Sequence, residues 1–166
     1  MADFDAMLAA CEHVLIWTDG ACHPNPDGFG GWAAVLHVGE TRWELVGSEY
    51  PTTNNRMELL SALRALEALG QDRKRVTLTS DSSYLVNAFT KGWLEGWSRS
   101  GRLWDNDCPR PLPNVDLWRA LGRAAGLHDI TWVHVRGHQG HEENEACDRL
   151  AVAARKALRA EMEGTT

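Results

Sequence analysis

The chain has 166 residues, 43% of them hydrophobic, which suits one globular domain with a core large enough to need neither disulfides nor a structural metal. Its formal net charge of −6 argues against a general nucleic-acid binder that relies on excess lysine and arginine, and Cys11, Cys22, Cys108 and Cys147 form no C-x-x-C pair of the redox or zinc-knuckle kind. The first residues carry Asp3, Asp5 and Glu12 where an export signal is basic, and no apolar run reaches membrane-span length, so the expected protein is cytoplasmic, with no membrane partner.

Residues 1–12 read as an N-terminal extension, 13–160 as a single domain and 161–166 as a disordered tail. HVLIWTDG (13–20) is a nearly continuous apolar strand, buried on both faces, that ends in an acidic turn. After the Pro/Gly-rich ACHPNPDGFGG, the segments GWAAVLHV (31–38) and TRWELVGSEY (41–50) form a half-buried β-hairpin around Gly39 and Glu40. Leu59, Leu60, Leu63, Leu66 and Leu69 recur at helical spacing, and Gly70 supplies the stop. RVTLTSD (75–81) is a fourth strand, and SSYLVNAF (82–89) a helix that its serines can cap. The segment 92–113 is tryptophan-rich and irregular. NVDLWRALGRAAG (114–126) is a helix opened by Asn114, DITWVHV (129–135) a fifth strand, and the last helix starts near Asn144 and passes Leu158. The order β-β-β-α-β-α-α-α-β-α predicts an α/β fold: a five-stranded mixed sheet, three antiparallel strands then parallel ones, flanked by helices.

Asp19 and Asp81 both end apolar strands, at the edge where open α/β sheets bind ligands. If those strands are parallel neighbours, about 4.8 Å apart, the two carboxylates converge and repel unless a proton or cation lies between them. A hard divalent ion such as Mg²⁺ suits oxygen ligands of this kind. Helix or turn capping is the alternative for each aspartate. Glu58 has the same alternative, because Asn55-x-x-Glu58 fits a capping box. However, Glu58 lies next to the leucine stripe that docks on the sheet, where an uncompensated charge is costly. Asp148 sits a turn inside the last helix beside Leu150 and Ala151 and also needs a partner. A zinc site from His134, His138, His141 and Cys147 fits the spacing only loosely.

TDGAC, TTNNRMEL, SDSSYL, NVDLW and GHQGHEENEACDRLA occur in an order and spacing that resemble bacterial ribonuclease HI, the type 1 ribonuclease H family, over residues 14–154. The resemblance implies the ribonuclease H fold and an endonuclease that hydrolyses the RNA strand of RNA/DNA hybrids, giving 5′-phosphate and 3′-hydroxyl ends. Asp19, Glu58, Asp81 and Asp148 match the four metal-binding carboxylates, which would hold two Mg²⁺ ions, with Mn²⁺ as a substitute. Asp19 would bridge them, Glu58 and Asp81 would hold one ion and Asp148 the other. His138 matches the mobile catalytic histidine. Cys22, Asn25, Asn54 and Asn55 match residues against the RNA strand, Thr53 and Arg56 residues towards backbone phosphate. A monomer that binds an RNA/DNA hybrid is the expected assembly.

The chain departs from the family pattern at Ser83, where the best-known bacterial members have glutamine, and by one extra residue in each of PNPDGFGG and TKGW. The segment 91–119 resembles the family's basic handle but carries five basic residues against four acids, a net of +1. Trp93 and Trp104 offer stacking surface to a duplex, and Trp97 suits the handle core. Two other functions compete. A sugar-kinase or actin-like phosphotransferase needs a second domain, and a non-catalytic hybrid-binding module would have lost its acids.

Overall fold

The computed structural model describes residues 2–164. Its sheet has the order β3-β2-β1-β4-β5, built from β1 (His13–His23), β2 (Gly28–Val38), β3 (Thr41–Thr52), β4 (Arg75–Ser80) and β5 (Asp129–His134). β1 to β3 pair antiparallel, whereas β1, β4 and β5 run parallel, as the element order predicts. Around it lie α1 (Ala2–Ala9), α2 (Asn54–Ala68), α3 (Ser83–Thr90), α4 (Trp93–Arg99), α5 (Val115–Gly126) and α6 (Glu142–Met162).

Helices cover both faces of the sheet, and the two cores differ in character. On one face the leucines of α2 meet Val14, Ile16, Leu36 and Leu78, with Leu85 of α3 and Trp118 and Leu121 of α5 in the same cluster. On the other, small residues let α6 lie close to the strands: Ala33 and Val35 of β2 meet Cys147 and Ala151. β2 is therefore buried nearly throughout, whereas the hairpin pattern predicts half-burial and β3 alone shows that alternation. β1 alternates as well, with Val14 and Ile16 fully buried and Leu15 and Trp17 half-buried under α6, so it is less enclosed than its apolar run implies.

Several boundaries move. β1 continues past Asp19 to His23 because β2 still pairs with it there. The extension 1–12 contributes α1, whose Phe4 and Leu8 are buried and whose Phe4 ring meets Trp43 edge-on at 5.2 Å. Its C-terminal end is held by the buried Lys74, which donates to the carbonyls of Leu8 at 2.7 Å and Cys11 at 2.9 Å. α6 runs to Met162, so the expected tail is helical at its start, and residues 165–166 lie outside the described residues. In the tryptophan-rich segment α4 forms before the irregular remainder, and Trp97 packs on Trp118 at 5.1 Å. No helix among the described residues is long and apolar enough to cross a membrane.

Candidate active site

The parallel ladder between β1 and β4 ends at Thr18 and Ser80, so Asp19 and Asp81 are the next residue on each strand and stand side by side. Glu58 arrives from the first turns of α2. A Cβ on Gly20 would lie 2.5 Å from the Glu58 backbone nitrogen, so glycine there lets the helix rest on β1 itself. Oxygens of Asp19, Glu58 and Asp81 all lie within 4.8 Å of one another. Asp148, from α6, lines the same cleft but stands outside that group.

The helix start removes the capping alternative for Glu58. The N-cap of α2 is Thr53, whose hydroxyl accepts from the Arg56 N–H at 3.1 Å, and Asn55 is already helical. Glu58 thus lies beyond the capping positions, with Oε2 buried and without a hydrogen-bond partner. Ser82 does cap α3, accepting from the Leu85 N–H at 3.2 Å, whereas Asn114 occupies the N-cap of α5 in the left-handed region without a side-chain bond.

Burial, and then the Asp81 charge, raise the Asp19 carboxyl from 3.8 to about 7. Burial, then Asp19 and Asp81, hold Glu58 well above the usual carboxylate range. A buried acid orphaned among like charges is the donor set a hard divalent cation satisfies. The same shift links stability to pH. Between about pH 4 and pH 7 the folded Asp19 keeps a proton that the unfolded chain has released, so stability is lost as pH rises through that window. Urea unfolding of the metal-free protein is expected to show stability falling by a few kcal/mol from about pH 4 to pH 8, and saturating Mg²⁺ should restore most of it.

Of the residues matched to substrate contacts, Cys22, Asn54 and Asn55 line the carboxylate cleft, and Asn25 and Thr53 line the adjoining depression with Asn55, Tyr84 and Asn114. Three of them form a bonded set: the Cys22 N–H donates to Asn54 Oδ1 at 2.6 Å, and the Asn54 N–H donates to Asn25 Oδ1 at 3.1 Å. Ser83 lines the cleft too. Arg56 does not stand free towards phosphate. Its guanidinium pairs with both oxygens of Asp116, at 3.1 and 2.9 Å, and with Glu49 at 3.2 Å. Trp93 is 38% exposed on α4, away from the cleft lining. His138 is exposed in the loop between β5 and α6, with φ of 58°, and the neighbouring Gly137 passes so near Asp81 that a Cβ there would lie 2.7 Å from its Oδ2.

The zinc alternative finds no such grouping among the described residues, and Cys147 is buried with its thiol donating to the Trp17 carbonyl at 3.2 Å. Two features of the site went unread in the sequence. Gly31 lets α6 touch β2, since a Cβ there would lie 2.0 Å from the Ala151 carbonyl oxygen. Arg155 also lines the cleft; it lies seven residues after Asp148, and that two-turn spacing on one helix face was the available signal.

The RNase H family model matches residues 11–156. The ribonuclease H of Novosphingobium aromaticivorans is 53% identical over 143 residues, covering 86% of this chain and 96% of the relative. The chain belongs to the RNase H family. Among solved structures, LC9-RNase H1, a type 1 RNase H with the type 2 active-site motif, superposes with a TM-score of 0.78 at 31% identity, over 89% of this chain and 74% of that one. LC11-RNase H1, solved in complex with an RNA/DNA hybrid, shares the fold at 22% identity and a TM-score of 0.63, over 87% of this chain and 99% of that one. Membership makes the chain an RNA-degrading hydrolase of a family that uses divalent metal.

Proposed function

We propose that the cleft hydrolyses the RNA strand of RNA/DNA hybrids with two Mg²⁺ ions held by Asp19, Glu58, Asp81 and Asp148, leaving 5′-phosphate and 3′-hydroxyl ends. The observation that carries this is the group of three converging acids, two with raised affinity for protons and one oxygen of Glu58 without a partner. Bound ions would activate a water for in-line attack on a phosphodiester and stabilise the departing oxygen. Asp19 would be the ligand common to both ions, with Glu58 and Asp81 on one and Asp148, which lines the same cleft from α6, on the other. Asn25, Asn54, Asn55 and Cys22 form the surface for the RNA strand, where amide side chains suit a 2′-hydroxyl that both donates and accepts. Thr53 lies at the phosphate side of that surface. An exposed imidazole at His138, on the loop that crosses Asp81, is placed to carry protons at the mouth of the cleft. Mn²⁺ substitutes for Mg²⁺, and the protein works as a cytoplasmic monomer.

Labelled RNA, alone or paired with DNA, tests the reading in the presence of Mg²⁺. Cleavage of the paired RNA with single-stranded RNA left intact is expected, and an intact hybrid overturns it.

The handle contributes little charge to this binding. Arg99 pairs with Glu95 at 2.5 Å, while the side chains of Arg102 and Arg119 donate to the carbonyls of Arg110 at 2.9 Å and Leu103 at 2.5 Å. With Arg56 also held by acids and a net charge of only +1 over 91–119, the field offered to phosphate is weak. The logarithm of hybrid affinity should therefore fall with the logarithm of salt concentration at a slope no steeper than about −4. A fluorescence-anisotropy titration giving a slope near −10 contradicts this.

A further inference from the structure

We infer that Arg155 grips a backbone phosphate of the strand being cut, and is the cleft's own phosphate-binding residue. This rests on the hybrid-nuclease reading of the same cleft and adds to it the group that positions the strand.

The cleft is lined by four acids, and Arg155 is the one lysine or arginine among its described lining residues. A nucleic-acid strand entering there brings further negative charge. Ions held by the carboxylates would offset the acids, but a polyanion also needs a donor fixed beside them. Arg155 is half-buried on α6, two turns past Asp148, and its side chain has neither a hydrogen bond nor an ion pair among the described residues. Its charge acts on Cys22, the β1 residue whose thiol burial pushes up and Arg155 pulls back, so its head lies beside the surface assigned to RNA. A guanidinium there presents a planar fork that matches phosphate oxygens.

Two other arginines are occupied. Arg56 is held by Asp116 and Glu49, and Arg159, a turn beyond Arg155, donates to Glu163 at 3.0 Å and lies over the Phe29 ring. The backbone of Arg155 is also fixed in height. The space a Gly31 Cβ would take lies 2.7 Å from the Arg155 nitrogen, so the helix is pressed onto β2 at this turn. A fixed backbone under a free guanidinium is the arrangement a positioning contact needs. Had Arg155 served to neutralise the acids, an ion pair with Asp148 or Asp81 would be expected, and none lies within 4.0 Å.

Steady-state cleavage of a labelled hybrid by the full chain and by Arg155→Ala and Arg155→Lys, at saturating Mg²⁺, tests the assignment. Arg155→Ala should raise KM about tenfold and change kcat far less, and flatten the salt slope of hybrid binding by about one. Arg155→Lys should keep the slope but recover only part of KM, since it keeps the charge and loses the fork. Unchanged KM and slope in folded Arg155→Ala overturn the inference while leaving the nuclease reading intact. A shifted Mg²⁺ activation midpoint at unchanged KM overturns it too, assigning Arg155 to the acids instead. If the Ala variant does not fold, the Lys variant decides: a KM equal to the parent's rejects the fork contact. A hybrid left uncut by the unmodified protein removes the reading and the inference together.

Discussion

Asp19→Asn is expected to abolish hybrid cleavage, by about a thousandfold or more, and to make the metal-free protein more stable. The two effects have one cause. Asp19 is 4% exposed, and burial and the Asp81 charge lift its carboxyl to about 7, so near neutral pH the fold tolerates a carboxylate it would rather protonate. Asparagine has nearly the same shape, and its Oδ1 can still accept the Gly20 N–H that Asp19 accepts at 2.8 Å. It carries no charge to repel Glu58 or Asp81. Removing the penalty should add roughly 2–4 kcal/mol at about pH 8 and flatten the pH dependence of stability. Activity goes because a neutral amide is a poor ligand for hard divalent ions, and Asp19 is the acid shared by the proposed pair. Initial rates on a hybrid and urea unfolding in chelator read the two effects. A variant both inactive and less stable than the parent would mean that Asp19 is structural.

Gly31→Ala should lower stability by about 3 kcal/mol or more and reduce cleavage along with it. The added Cβ would meet the Ala151 carbonyl oxygen at 2.0 Å and the Arg155 nitrogen at 2.7 Å, both backbone atoms that no rotamer change moves. Relief requires α6 to lift from β2, which opens the small-residue core of Ala33, Val35, Cys147 and Ala151 and carries Asp148 away from Asp19. Gly126→Ala is the control. It lies at the last residue of α5 with nothing within 4 Å of its added Cβ, and should change stability little or favourably. Thermal unfolding of the pair checks the contrast, and a Gly31→Ala protein as stable as the control would show that α6 does not depend on this contact.

The mixed sheet and the directions of its strands were legible because strand and helix periods in this chain are cleanly separated by glycine and proline. The convergence of Asp19 and Asp81 was legible for the same reason: two apolar strands that end in aspartate, once parallel, leave their side chains no other place. What escaped depends on residues far apart in sequence. α1 has just Phe4 and Leu8 as buried anchors, and it folds against Trp43 and Lys74, which the sequence does not point to. Thr53 rather than Asn55 caps α2 because the cap needs extended backbone, φ −137° and ψ 160°, which residue type alone does not decide. Arg56 fits a phosphate contact until Asp116, sixty positions later, is seen to fill its fork. Arg155 looks like any solvated arginine of a long helix until the glycine contact at position 31 turns its face into the cleft.

Anomalous diffraction from crystals soaked in Mn²⁺ decides whether Asp19, Glu58 and Asp81 form a cation site. A peak is expected among these three carboxylates, and it should be lost in Asp19→Asn. A group left empty while Mn²⁺ collects elsewhere, for instance around His134, His138 and His141, would contradict it.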